Sequence, residues 1–381
     1  MNSLRGLTLV AGLALSLAAC GSEAIAPQYH AEGNPALLSD WGQIEIANGQ
    51  LSLPGSVMPY DLNSPLFTDY AQKLRTIWMP DGTSAVYREN EVLDFPVGTV
   101  ITKTFYYPRS EGGWENVARE ETTESRFSNG MLDLDAVRLI ETRILVHRED
   151  GWAAIPYRWN DEQTDARLQR TGAIIPLNLT SDAAEVEAFN YIMPNVNQCA
   201  SCHAPDSNSR VISPIGPKPR HLNRDFDYAD GTANQLAMLA AHHMLTDLPS
   251  DSSMPRNAVW DDESATLDTR ARAYLDINCS HCHSPVGPAD TSGLYLEPDT
   301  PEGPQLGLCK LPIAAGRGTG NRPYDIVPGE PDRSIFIYRM NSVTPDVMMP
   351  EIGRSTIHTE GVELIRAWIE TLEGDCETST L

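Results

Sequence analysis

Two short segments of this 381-residue chain hold thiols and an imidazole at a spacing with specific chemistry: Cys199-Ala200-Ser201-Cys202-His203 and Cys279-Ser280-His281-Cys282-His283. Two thiols with two residues between them can reach both vinyl groups of one porphyrin. A histidine directly after the second thiol is then forced beneath the iron as its proximal ligand. The pair predicts two covalently attached c-type haems, one held by Cys199, Cys202 and His203, the other by Cys279, Cys282 and His283. Other uses of paired cysteines fit less well. A zinc ribbon places its arms about 15–20 residues apart, whereas 76 residues separate Cys202 from Cys279. A thioredoxin-like redox pair gives no reason for a histidine to follow both times.

The N-terminus bears on where such haems would be attached. Arg5 supplies a positive start, Leu7 to Leu17 an apolar run too short to span a bilayer, and Leu17-Ala18-Ala19-Cys20 a small-residue cleavage site ending in cysteine. This stretch resembles a bacterial lipoprotein signal. The resemblance implies export, removal of residues 1–19 and acylation of Cys20. With Gly21 next, it implies the outer membrane, facing the periplasm or the cell surface. The alternative is an ordinary cleaved signal with a free Cys20, which also exports the chain. No other apolar run approaches the ~18–20 residues of a transmembrane helix, so membrane contact is expected through the lipid anchor only. Of seven cysteines, one goes to lipid and four to haem, leaving Cys309 and Cys376, 67 positions apart. In an oxidising compartment these could pair as a disulfide; two free buried thiols would satisfy the sequence equally.

With 52 acidic and 28 basic residues the formal charge is −24. Such a surface repels nucleic acid and anionic lipid headgroups and steers redox proteins that present basic surfaces. The length suggests two or three domains.

The elements that must carry the two segments change character along the chain. Residues 20–40 show no sustained period and read as a tether. From 41 to 180 the pattern is mainly β. Val100 to Tyr107 is rich in β-formers, and Leu139 to His147 puts Ile140, Thr142, Ile144 and Val146 on one face and Glu141, Arg143 and His147 on the other. A Glu149-Asp150-Gly151 turn leads into Trp152 to Trp159, where Ala153, Ile155, Tyr157 and Trp159 share a face, which predicts a hairpin. His147 and the acidic stretch Trp159 to Asp165 invite a substrate or metal site, but with no second ligand cluster they read as a solvated loop. From Ser181 onward helix and loop are expected. Asp182 to Ile192 leads as a helix to the first Cys-x-x-Cys-His segment. Residues 264–277, with Ser264 as N-cap and Leu267, Ala271, Tyr274 and Leu275 on one stripe, lead to the second. A final helix carries Val362, Ile365, Trp368, Ile369 and Leu372.

The order of helix, Cys-x-x-Cys-His, loops, Met-Pro and aromatic-bearing helix resembles class I cytochrome c. The fold expected from it is multidomain α+β: a β-rich sandwich or barrel-like domain at 41–180, then two mainly α class I cytochrome c-like haem domains at 181–260 and 261–376. The resemblance implies Met349, 66 residues after His283 and followed by Pro350, as sixth ligand of the second iron, with Met348 as the alternative. For the first iron the candidates are Met254, 51 residues after His203 and again followed by proline, or His243, on a helical face with Leu236, Leu239 and Ala240. His242, Met244 and no protein ligand at all stay open. Pro214-Ile215-Gly216-Pro217 is similar to the segment in which a backbone carbonyl orients the proximal imidazole. Over nearly all its mature length the chain also resembles a family of bacterial di-haem c-type cytochrome lipoproteins. The likeness is carried by residues 60–67, 197–203, 215–224, 271–279 and 326–331. Genes of that family commonly lie beside one for a parallel β-helix repeat protein, which the resemblance implies as a partner.

Three functional classes follow. The leading one is an exported electron carrier between periplasmic or outer-membrane redox partners. The second is a di-haem peroxidase-like enzyme with one open iron, and the third a cytochrome subunit of a dehydrogenase complex.

Overall fold

A computed structural model describes residues 26–120, 126–250, 254–313 and 315–376. Arg5, the apolar run 7–17 and Cys20 lie outside the described residues.

Strands form where β-branched and aromatic side chains alternate with polar ones. The largest sheet has six antiparallel strands in the order Ala166–Leu168, Gly151–Trp159, Val137–Arg148, Val100–Pro108, Gln72–Trp78 and Met58–Tyr60. The hairpin over Glu149 and Asp150 pairs Trp152 with His147 and Tyr157 with Thr142. One face of this sheet presents Leu74, Val100, Ile144, Val146, Ile155 and Tyr157 to a core that also holds Trp41, Leu51 and Leu132. On the other face Arg75 stands opposite Lys103, and Lys103 opposite Arg143, so three cations share one row across three strands. A register shift between Phe105 and Tyr106 ends the simple alternation on Val137–Arg148. Ile140 therefore leaves the face of Thr142 and Ile144 and joins a separate core with Phe105, Tyr107 and Tyr191.

Smaller sheets complete the β structure: Val186–Met193 with Ala173–Thr180 and Asn116–Ala118, and Glu45–Ala47 with Gln50–Ser52 and Met131–Asp133. Leu245–Thr246 pairs with Ala85–Val86, so the stretch between the two Cys-x-x-Cys-His segments adds a strand to residues far earlier in the chain. Leu222, Leu236, Leu239 and Leu245 likewise share a core with Met58, Tyr60 and Ile77.

This architecture overturns the expected fold class. The chain is mainly β, and the six α-helices among the described residues run from four residues to thirteen; two mainly α cytochrome c-like domains are not formed. The clearest local reversal is Asp182 to Ile192, expected as a helix. Its residues Val186–Met193 are a strand that buries Phe189, Tyr191 and Met193 on one face with Ile175, Leu177 and Leu179 and leaves Val186, Ala188, Asn190 and Ile192 exposed on the other. The period there is two, and the β-branched and aromatic side chains favour the strand once a partner is available. The first segment keeps a helix of only four residues, Ala200–His203. Before the second, the helix Leu267–Leu275 starts at Thr266 rather than Ser264, because Thr266 Oγ1 accepts from the Thr269 amide at 3.2 Å. That helix packs on Thr359–Thr371 through Tyr274, Leu275, Ile365, Trp368 and Ile369.

Candidate functional site

Both Cys-x-x-Cys-His segments adopt the same backbone turn. The His203 amide donates to the Cys199 carbonyl at 2.9 Å, and the His283 amide to the Cys279 carbonyl at 2.9 Å. One helical turn of this kind brings two thiols three positions apart onto one side with the following imidazole beside them. All four cysteines are free thiols. Burial raises each of them, with Cys279 and Cys282 pushed up to about 12, so they stand as neutral S–H groups.

The two segments meet. Cys282 Sγ lies 3.7 Å from the Ser201 carbonyl oxygen, and the Ser207 amide donates to the Val286 carbonyl at 2.8 Å. Cys199, Cys202 and His203 line one cavity of about 780 Å³ together with Cys279, His281 and His283. That volume lies within the range of cofactor sites.

The first imidazole is oriented for ligation. His203 Nδ1 lies 2.9 Å from the Ser213 carbonyl oxygen, which only accepts, so Nδ1 carries the proton and Nε2 keeps its lone pair. The orienting carbonyl belongs to the residue just before Pro214-Ile215-Gly216-Pro217. Burial pulls the His203 ring down to about 3, helped by the nearby Lys103 ammonium, and burial pulls His283 down to about 4. Both rings are therefore neutral at physiological pH, the form that binds a metal. Ser292 Oγ stands 3.5 Å from His283 Nδ1.

Met348 and Met349 line the same cavity. Their loop is tethered by Arg354, a buried guanidinium whose Nη2 donates to the carbonyls of Met349 at 2.9 Å and Ser342 at 2.8 Å, while Nη1 donates to that of Thr356 at 2.9 Å. Asp69, from the β region, accepts from the Ser355 and Thr356 amides at 2.6 and 2.8 Å. The candidates for the first iron lie elsewhere. Met254 packs against the core of Leu222 and Leu236, and its carbonyl accepts from Asn223. His243 is exposed at φ 58°, beyond the end of the helix Gln235–Ala241, and so is not on that helix face. His242 is exposed as well, and Met244 packs against the same core as Met254. None of these four is among the residues lining the cavity.

Sequence reasoning missed the wall that the six-stranded sheet contributes. Lys73, Arg75, Lys103 and Arg143 all line the cavity. Arg75 pairs with Asp61 at 2.5 Å, and Arg143 grips Glu141 through Nε at 3.0 Å and Nη2 at 2.5 Å. Lys73 donates to the Ala71 carbonyl at 2.7 Å. Burial, followed by the charges of Arg143 and Arg75, pulls the Lys103 ammonium down to about 7. The available signal was the face of residues 139–147 that carries Glu141 and Arg143, of which Arg143 lines the cavity.

Cys309 and Cys376 are joined as a disulfide. His147 Nδ1 donates to the Phe95 carbonyl at 2.9 Å, and the ring stacks on Trp152. In the acidic loop Asn160 bonds Thr164, and Asp165 accepts from Ser39. Among the described residues no group of three His, Cys, Asp or Glu side chains is placed to hold a bare metal ion, and no helix is long and apolar enough to cross a membrane. No protein-family model, curated protein or solved structure matches the chain.

Proposed function

We propose that the chain is an exported di-haem c-type cytochrome that passes electrons between periplasmic or outer-membrane redox partners. The observation that carries the reading is the shared five-residue hydrogen-bonded turn of the two Cys-x-x-Cys-His segments, touching through Cys282 and Ser201, with Cys199, Cys202, His203, Cys279 and His283 lining one cavity that Cys282 does not reach. When bound, haem supplies one-electron iron chemistry. The chain's part is to attach, ligate and insulate. Cys199, Cys202, Cys279 and Cys282 would hold the groups as thioethers, each S–H having added across a vinyl C=C with no leaving group. His203 and His283 would offer Nε2 to the irons, and Ser213 holds the first ring in the required tautomer. Met349, on the loop that Arg354 fixes, would supply a thioether to the second iron, a ligand that favours the ferrous state and raises the potential. The formal charge of −24 suits partners with basic surfaces. The N-terminal signal supports outer-membrane anchoring through Cys20, and a parallel β-helix repeat protein is carried forward as a partner.

One observation favours a second reading. The side chains proposed for the sixth position of the first iron, Met254 and His243, stand outside the cavity. A first iron with an open position is the arrangement of a di-haem peroxidase.

The test is the absorption spectrum of the mature, dithionite-reduced protein before and after carbon monoxide, with a pyridine haemochrome count. Two haems of which neither binds carbon monoxide support the carrier. Two haems of which one binds it support the peroxidase-like enzyme, and a count of zero overturns both.

A further inference from the structure

We propose that the cross-strand row Arg75, Lys103 and Arg143, with Lys73 beside it, is an anion site that receives a carboxylate or small oxoanion inside the cavity.

Like charges directly opposite one another on neighbouring strands destabilise a sheet. Here the Arg75–Lys103 and Lys103–Arg143 registers set two such contacts side by side. The wall lies on the cavity side, where desolvation magnifies repulsion. Its own carboxylates are already engaged. Asp61 takes Arg75, and Glu141 takes Arg143 through both oxygens while also accepting from the Tyr191 hydroxyl at 2.6 Å. Lys103 has no ion pair among the described residues. Its ammonium and those of Lys73 and the Arg143 guanidinium crowd instead around the Phe105 ring, at 5.2, 5.9 and 4.3 Å from its centre. Two arginines and two lysines thus share the wall with the carboxylates of Asp61 and Glu141, and Glu187 lines the same cavity; the two lysines have no ion pair among the described residues, and burial lowers both ammonium groups. A chain of formal charge −24 does not gather basic side chains in a cavity for solubility, since only a surface charge serves that end. An anion in reach of Lys103 relieves the cross-strand repulsion and makes charge-assisted bonds in a poorly solvated place.

Two sources carry the required chemistry: a propionate of an attached haem, which rests on the function proposed above, or a free anionic ligand. The experiment uses the mature, haem-loaded protein as wild type, Lys103→Gln and Lys103→Arg. Midpoint potentials are measured by spectroelectrochemistry as functions of pH and of added inorganic phosphate, and melting is followed by circular dichroism. If the anion is a propionate, Lys103→Gln lowers the potential of one haem and raises the pH at which that potential inflects, Lys103→Arg restores both, and phosphate does nothing. If the anion is free, phosphate shifts the wild-type potential saturably, and Lys103→Gln weakens that response by roughly tenfold or more. Potentials, inflection and phosphate response unchanged in Lys103→Gln overturn the site. If the haemochrome count is zero, the functional reading falls by itself. The anion site is then judged by whether phosphate raises the melting temperature of wild type and not of Lys103→Gln.

Discussion

Cys282 Sγ lies 3.7 Å from the carbonyl oxygen of Ser201, so the second Cys-x-x-Cys-His segment rests on the first. Haems carried by the two segments, as proposed, would thereby be held as neighbours.

If the two segments carry haems as proposed, magnetic coupling follows from that contact. In the oxidised protein, electron paramagnetic resonance is expected to show two interacting ferric centres. The double variant Cys199→Ser/Cys202→Ser should retain a single haem by mass spectrometry and give an uncoupled signal from the other. Two independent signals in the wild type would contradict the arrangement.

The loop of Met348 and Met349 separates two candidate ligands by one residue, and Arg354 fixes the carbonyl of Met349 itself. Met349→Ala is expected to lower one midpoint potential and let that iron bind carbon monoxide, while Met348→Ala changes neither. The reverse pattern would assign the position to Met348. Arg354→Met strands several buried carbonyls and is expected to cost about 3 kcal/mol or more, read by chemical denaturation.

Asp276, three residues before Cys279, is buried and gripped by Arg220 through Nε at 2.7 Å and Nη2 at 3.0 Å, with Asn257 and Ser280 completing its shell. Removing one partner of such a pair leaves the other buried and unpaired. Asp276→Ala is therefore expected to destabilise by about 3–5 kcal/mol in denaturant titration. A loss under about 1 kcal/mol would show that the pair is not a structural tie.

Acid should loosen the same region in two stages. Burial, opposed by the Asp276 charge, pulls His221 down to about 4. The unfolded chain takes that proton first, near pH 6.5, so stability is complete above that value and falls as pH drops towards 4, by ~3 kcal/mol. Burial resists ionisation of Asp276, yet the Arg220 bonds and the neighbouring charges outweigh it and hold the carboxyl below its usual range. Its contribution is present above the unfolded value near 3.9 and is lost as pH falls further. Calorimetry should show melting temperature declining below about pH 6.5, and His221→Gln should flatten the upper part of that decline.

The Cys309–Cys376 disulfide closes residues 67 apart around the segment that carries Met349. Replacing both with serine is expected to cost about 2–5 kcal/mol, seen as a lower melting temperature that no longer responds to reductant.

Local spacing carried much of the chemistry. Thiols three positions apart with histidine next can be read without a fold, because one backbone turn sets their geometry. The strands Val100–Pro108, Val137–Arg148 and Gly151–Trp159 were legible for a similar reason: a period of two is a property of each strand alone. The same rule failed at Val186–Met193, where short local signals suited either state and pairing with Ala173–Thr180 chose the strand.

What the sequence by itself determined is the pair of Cys-x-x-Cys-His segments and the alternation that separates Thr142 and Ile144 from Arg143. Only the tertiary structure decided what each face meets. It turned Arg143 and Lys103 into a cavity, set Cys282 on Ser201, and left Met254 and His243 outside. The physical reason is that periodicity says which side chains share a side, whereas the occupant of that side is chosen by long-range packing of the remaining apolar surface, which no local window contains.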